Sequence, residues 1–238
     1  MINVAILGAG AMGKTLGQLV EEQDNMNLID VVEPRKGETL QDITESVDVV
    51  IDFSNPDNLE MLMDYTLAKS CRAVIATTGY TLEQEQLIVN MAQQVPVVFA
   101  ANFSLGVTVM KRILSEISPI LEGSFDMEMI EKHHNKKLDA PSGTAKMLVE
   151  AMNPHKKFEE VRGRDGNRKR GKEIGIHAIR GGTIPGEHTA IFAGEDEILE
   201  IKHTALSKKI FASGAITAAK FTMTAEVGLY NMEDVLFG

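Results

Sequence analysis

A chain of 238 residues, 44% hydrophobic and 24% charged, has the balance of an ordinary folded protein and room for one large core or two small ones. Its formal net charge of −10 speaks against a nucleic-acid partner, because neutralising phosphates takes a concentrated basic surface. The single cysteine, Cys71, excludes an intrachain disulfide; lying just before an apolar run, it reads as a small buried hydrophobe. No signal-peptide pattern is visible, and no apolar run approaches the roughly 20 residues of a membrane span. The expectation is a cytoplasmic protein with no membrane partner.

Ile2 to Leu7 is a short, nearly continuous apolar run, the mark of a parallel strand covered on both faces. A glycine-rich turn follows, then a helical stretch carrying Leu16, Leu19 and Val20. Leu28 to Val32 and Val47 to Phe53 read as the second and third strands, the latter ending in Asp52-Phe53-Ser54. Pro56 suits the first turn of a helix running to about Lys69, with Leu59, Leu62, Met63 and Leu67 as its apolar stripe. Ala73 to Ala76 is a fourth strand, ending in Thr77-Thr78-Gly79. Thr81 caps a further helix, and Pro96 to Ala100 is a fifth strand. Strands and helices in alternation imply βαβ units and a parallel sheet.

From about residue 104 the texture changes. Ser104 to Glu122 reads as one long helix with Val107, Met110, Ile113, Leu114, Ile117 and Leu121 on one side. Strict alternation then marks Phe125 to Met129, Ile174 to His177 and Ile198 to His203, which suggests a more antiparallel sheet with one buried face. The basic run Arg162 to Lys172 reads as a solvated, mobile loop in preference to an anion-gathering flap. From Ser207 to Glu226 the chain turns helical and is expected to return to the first domain. The expected fold class is therefore α/β: an N-terminal Rossmann-type doubly wound parallel sheet, with a second α+β domain of mixed or antiparallel sheet.

Gly8-Ala9-Gly10-Ala11-Met12-Gly13 follows the first strand and opens the first helix, the context in which a Gly-x-Gly-x-x-Gly pattern carries a dinucleotide. Gly8 permits the tight turn, Gly10 lets the backbone approach a pyrophosphate, and Gly13 allows close helix–strand contact. The unpaired N–H groups of the helix start then face the phosphates. Glu33 lies about twenty residues past Gly13, where a carboxylate accepts hydrogen bonds from an adenine ribose. Arg35 and Lys36 beside it suit a 2′-phosphate. The cofactors expected are NADH, preferred, and NADPH, accepted. Ala76, Thr77 and Thr78, with Ala100, Ala101, Asn102 and Phe103, stand at strand ends and are candidates for the nicotinamide side. Asp52-Phe53-Ser54 is a weaker candidate for that rim.

Glu131 to Ala145 is polar, dense in titratable groups, and runs from a strand end into a helix start. Ser142 is a good N-cap, and the N–H groups of Gly143 and Thr144 would point at an anion such as a substrate carboxylate. His133 and His134 are candidates for a general acid near neutral pH, and Lys137 for a cation or second proton donor. The histidine pair has no cysteine or carboxylate at metal-ligand spacing, so no metal is expected. Lys136 and Lys137 read equally well as plain surface charge. His177, His188 and His203 read as buried-face or rim residues rather than catalysts. Spacing alone defines an anion-binding site with an acid beside it.

The segment Glu131-x-His133-His134-x-x-Lys137-x-Asp139-Ala140-Pro141-Ser142-Gly143-Thr144 closely resembles the signature of the 4-hydroxy-tetrahydrodipicolinate reductase family, traditionally dihydrodipicolinate reductases. The resemblance spans the chain. It includes the glycine motif, Ile51 to Ser54, Ala76 to Gly79, Ala100 to Ser104, Ile176 to Gly182, Gly186 to His188 and Phe192 to Gly194. It implies an NAD(P)H-dependent reduction, with loss of water, of a cyclic dicarboxylate in the diaminopimelate route to lysine. It implies His133 as proton donor, Lys137 as second catalytic group, and His134, Ser142, Gly143 and Thr144 at the substrate carboxylates. The domains expected are residues 1–104, completed by 214–238, for the dinucleotide, and 105–213 for substrate binding and assembly into a homotetramer. The chain departs from the family pattern at Ala11, where many members carry Arg, and in the short connection from Pro34 to Ser46. Other two-domain dehydrogenases, or a non-catalytic nicotinamide sensor, would share the first half but not this second segment.

Overall fold

The computed structural model describes all 238 residues. The chain begins with β1 (Ile2–Leu7), α1 (Ala11–Glu21), β2 (Met26–Val32), β3 (Val49–Asp52), α2 (Leu59–Lys69), β4 (Arg72–Ile75), α3 (Leu82–Met91) and β5 (Pro96–Phe99). It continues through α4 (Leu105–Leu121), β6 (Asp126–His133), α5 (Gly143–Met152), β7 (Glu159–Arg162), β8 (Glu173–Arg180), β9 (Glu187–Ala193) and β10 (Ile198–Thr204). It closes with α6 (Lys209–Thr222), β11 (Gly228–Tyr230) and α7 (Met232–Phe237). Two compact units result, Met1–Leu105 with Lys209–Gly238, and Gly106–Lys208.

The first unit is built on a six-stranded sheet in the order β11-β5-β4-β3-β1-β2, every pair parallel. Its central strands β3 and β4 carry no polar face because both faces are covered, whereas the edge strand β2 exposes Asn27 and Asp30. Within β1, Val4 and Ile6 enter one core and Ala5 and Leu7 the other. α2 and α3 close the first side through Leu59, Leu62, Tyr65, Ile88 and Met91. α1, α6 and α7 close the second through Leu16, Val20, Ala215, Ala219 and Met232. The small residues of α6 let it lie close to the sheet: a Cβ on Gly214 would sit 1.6 Å from the Phe103 carbonyl oxygen. Thr81 caps α3 in a full capping box with Gln84, and Pro56 opens a 3-10 turn leading into α2. This is a Rossmann-type doubly wound sheet, and its strand order reverses between β1 and β3. Cys71 is buried in the first core, where burial pushes its thiol up to about 11.

The second unit has a five-stranded sheet in the order β10-β9-β6-β8-β7. β10, β9 and β6 pair antiparallel, whereas β6, β8 and β7 pair parallel. The alternation in the sequence reports one covered face, and α4 and α5 provide that cover over Met127, Met129, Ala190 and Phe192. It carries no information about strand direction. Direction is decided by the connections, and the crossover through α5 makes half of this sheet parallel. β7, β9 and β11 carry no signal strong enough to single them out: β7 is Glu-Glu-Val-Arg, and β11 has three residues.

Candidate functional site

In the first unit, the crevice at the strand-order reversal lies outside the carboxyl ends of β1 and β3. It has a volume of about 340 Å³ and is lined by Gly8, Ala9, Gly10, Glu33, Arg35 and Phe53, among others. Gly8 adopts φ +109°, and a Cβ there would meet the Phe53 carbonyl oxygen at 2.5 Å. A Cβ on Gly13 would lie 1.7 Å from the Gly8 carbonyl oxygen, so α1 starts directly against the turn. Gly10 differs: no protein atom lies within 4 Å of its notional Cβ, and no side chain caps α1 there. Packing therefore demands Gly8 and Gly13, while the open space at Gly10 suits a pyrophosphate drawn against the backbone. The group fits these residues. Ala11 is exposed, and Met12 packs partly into the core behind the turn.

Glu33 directly follows β2, with its carboxylate 2.7 Å from Lys36 Nζ, and that hydrogen bond holds it below the usual carboxylate range. Asp52 is buried at the end of β3. Its Oδ1 accepts from the Ser54 N–H (3.0 Å) and hydroxyl (2.5 Å), and its Oδ2 from the Tyr80 hydroxyl (3.2 Å). Burial raises the Asp52 carboxyl against these hydrogen bonds. Thr77 is buried and accepts from the Ser54 N–H at 2.8 Å, so it ties the rims of β3 and β4 together. Ala76 and the exposed Thr78 flank it at the end of β4. Ala100, the exposed Ala101 and Asn102 follow β5, with Asn102 Oδ1 accepting from the Ser104 N–H at 2.8 Å. Phe103 is a core residue, its ring 6.2 Å from that of Phe53, so it shapes the rim from beneath.

In the second unit, Met127, Met129, Glu131 and His133 share the covered face of β6, and the last two turn that face polar at the carboxyl end of the strand. Glu131 Oε2 lies 2.6 Å from His133 Nδ1. Arg180, opposite His133 on β8, donates to both Glu131 oxygens at 2.6 and 2.7 Å. The Ser142 N–H adds a third bond to Oε1 at 3.0 Å. Burial alone would raise the Glu131 carboxyl; Arg180, His133 and the Ser142 N–H outweigh it and hold the group below its usual range.

Ser142 caps α5 by accepting from the Ala145 N–H at 3.0 Å, and its hydroxyl lies 2.9 Å from His188 Nε2. His188 is buried with its ring edge-to-face on that of His133, centroids 5.2 Å apart. Burial, then the neighbouring His133, pushes His188 down to about 4, so it is a neutral partner. Gly143 is exposed in open space at the start of α5, followed by the half-buried Thr144. Lys137 sits in the connection before α5, its Nζ 2.7 Å from Asp139, whose carboxyl it holds down. His134 is half-buried, with Nδ1 enclosed and without a hydrogen-bond partner.

The structure thus joins His133 and Ser142 through Glu131 and His188, while Lys137 is engaged by Asp139. Glu131, Arg180, His188 and Asp139 were not among the candidates. Glu131 was within reach of period-two reasoning, since i and i+2 share a strand face. Arg180 and His188 arrive through strand register, which the sequence does not display. The basic run is a solvent-exposed loop over most of its length, and three of its arginines are paired. Arg164 and Arg168 pair with the buried Glu173, and Arg170 pairs with Glu128 and Asp126. These contacts hold it at the amino ends of β6 and β8, with Asp126 roughly 23 Å along the strand from His133.

A doubly wound sheet with a dinucleotide crevice, in a chain that also carries an acid beside a helix start, defines a pyridine-nucleotide-dependent oxidoreductase. Two family models match, Dihydrodipicolinate reductase, N-terminus, over residues 2–103, and Dihydrodipicolinate reductase, C-terminus, over residues 106–236. The chain belongs to the dihydrodipicolinate reductase family. It is 44% identical to the 4-hydroxy-tetrahydrodipicolinate reductase of Clostridium novyi, covering 99% of this chain and 98% of that one. It is 41% identical to the enzyme of the same name from Brachyspira hyodysenteriae, covering 99% and 100%. Among solved structures, the dipicolinate-bound dihydrodipicolinate reductase from Paenisporosarcina sp. TG-14 superposes with a TM-score of 0.83 at 25% identity, covering all of both chains.

Proposed function

We propose that the chain reduces 4-hydroxy-tetrahydrodipicolinate to tetrahydrodipicolinate, with loss of water, in the diaminopimelate route of lysine biosynthesis. The observation that carries this is His133, held at Nδ1 by Glu131, at the strand end that leads into the capped amino terminus of α5. Gly8, Gly10 and the first N–H groups of α1 hold the cofactor pyrophosphate, and Glu33 the adenine ribose. When bound, the nicotinamide supplies the hydride that ring carbon 4 of the conjugated imine accepts. His133, or a water it orients, protonates the neighbouring ring position. Lys137 leaves Asp139 for a substrate carboxylate and adds positive charge as electrons move. His134, Ser142 and the N–H groups of Gly143 and Thr144 hold the carboxylates.

NADH is the preferred cofactor and NADPH is accepted, because Glu33 stands with Lys36 and Arg35 at the ribose end of the crevice. The open face of the second sheet, with Ile130, Ile191 and Ile179 and the free edge of β10, supports a homotetramer.

The test follows loss of reduced-nicotinamide absorbance with substrate generated in place from aspartate semialdehyde and pyruvate, NADH and NADPH side by side. Rapid substrate-dependent oxidation is expected. Replacing His133 by Gln or Lys137 by Ala should cut turnover roughly 10²-fold or more with NADH binding nearly intact. Wild type that binds cofactor but does not oxidise it would overturn the reductase reading.

A further inference from the structure

We infer that Glu131 is the positioning residue of this site: one buried carboxylate, locked by Arg180, that fixes both the His133 ring and the first turn of α5. The inference rests on His133 as proton donor. Glu131 is fully buried, and each of its oxygens is engaged: Oε1 accepts from the Ser142 N–H and Arg180, and Oε2 accepts from Arg180 and faces His133 Nδ1. A carboxylate held ionised by a bidentate guanidinium has no proton to share. The hydrogen between Glu131 and His133 therefore belongs to Nδ1. In the neutral ring, Nε2 is left bare to take a proton; in the imidazolium, Nε2–H is the acid. Gly186 keeps the space beside that nitrogen, since a Cβ there would lie 3.2 Å from Nε2.

Stability does not account for Glu131. The same strand face carries Met127 and Met129, and a buried ion pair is commonly no more stabilising than apolar residues of its size. What the carboxylate adds is a fixed relation. The residue that sets the tautomer of the acid also holds the backbone of Ser142, whose helix start presents N–H groups to an anion. The other charged or titratable groups around His133 are Arg180 on β8, His188 on β9, His203 beyond it on β10, and Lys137 and Asp139 before α5.

The experiment compares wild type with Glu131→Gln, which keeps the shape and an acceptor for the Ser142 N–H but removes the charge. Long-range proton–nitrogen NMR of the histidine rings should show neutral His133 protonated at Nδ1 in wild type. In the variant this preference should be lost. Turnover should fall roughly 10²-fold with the KM for reduced nicotinamide unchanged. A neutral wild-type ring protonated at Nε2 would overturn the inference. So would a folded variant that turns over within twofold of wild type. Should the variant fail to fold, the wild-type tautomer decides alone. Wild type that shows the Nδ1 tautomer but no substrate-dependent oxidation would sink the reductase reading and leave the Glu131–His133 orientation standing.

Discussion

Two glycines of one motif do different work, and single substitutions separate them. Gly13→Ala puts a methyl group where the Gly8 carbonyl oxygen stands, so it should destabilise the first unit by about 1–3 kcal/mol and impair cofactor binding with it. Gly10→Ala meets no protein atom, so the melting temperature should hold while cofactor affinity falls roughly tenfold, about 1.4 kcal/mol. Calorimetry of both variants, with and without NADH, checks the contrast. His188 adds a pH dependence. Burial lowers its folded-state value to about 4, below that of the unfolded chain, so the unfolded state takes up the proton first. Stability contributed by the neutral ring is complete above the unfolded value near 6.5 and is lost progressively down to about 4, on the order of 3 kcal/mol in all. In denaturant titrations between those limits, His188→Gln should show a shallower decline than wild type. Parallel slopes would show that other groups set the acid sensitivity.

At the scale of elements, two helix caps of the same chemistry serve different ends. Thr81 and Gln84 form a reciprocal box at the start of α3, and Thr81→Ala should cost about 1 kcal/mol with turnover unchanged. Ser142 caps α5 and also faces His188. Ser142→Ala should therefore cost a similar cap energy and also raise the KM for the dicarboxylate. Melting curves and steady-state kinetics on the two variants read this difference directly. Both caps could be found in the sequence, because a hydroxyl before an apolar helical stripe is a local signal. The partner of the second cap could not, because it is supplied by β9 from 46 residues away.

At the scale of the whole molecule, the second sheet leaves one face uncovered and both edge strands, β10 and β7, unpaired on their outer sides; on β10, Ile198 is 68% exposed. A homotetramer should sediment at four times 26.0 kDa, and Ile191→Glu, on the open face, should shift the mass downward without unfolding the first unit. A monomer mass for wild type would remove the assembly reading. No helix is long and apolar enough to cross a membrane. The first unit is completed by chain that returns after the second, through α6 and β11. The helical texture from Ser207 foreshadowed α6. β11, three residues pairing with β5, left no pattern to read.

By itself the sequence determined whatever depends on neighbours along the chain: the βαβ rhythm, the glycine turn, the caps, and the dense segment from Glu131 to Thr144. These follow from backbone geometry and from the period of burial, which local composition records. Tertiary structure alone decided which strand lies beside which, and so placed Arg180 opposite His133 and His188 opposite Glu131. It also turned the basic run back onto Glu128 and Glu173. Pairings of this kind are set by crossover connections and register across tens of residues, and no local period encodes them. Glu131 lies between the two cases: its strand face was readable from its distance to His133, but its role depended on the arginine that register brought to it.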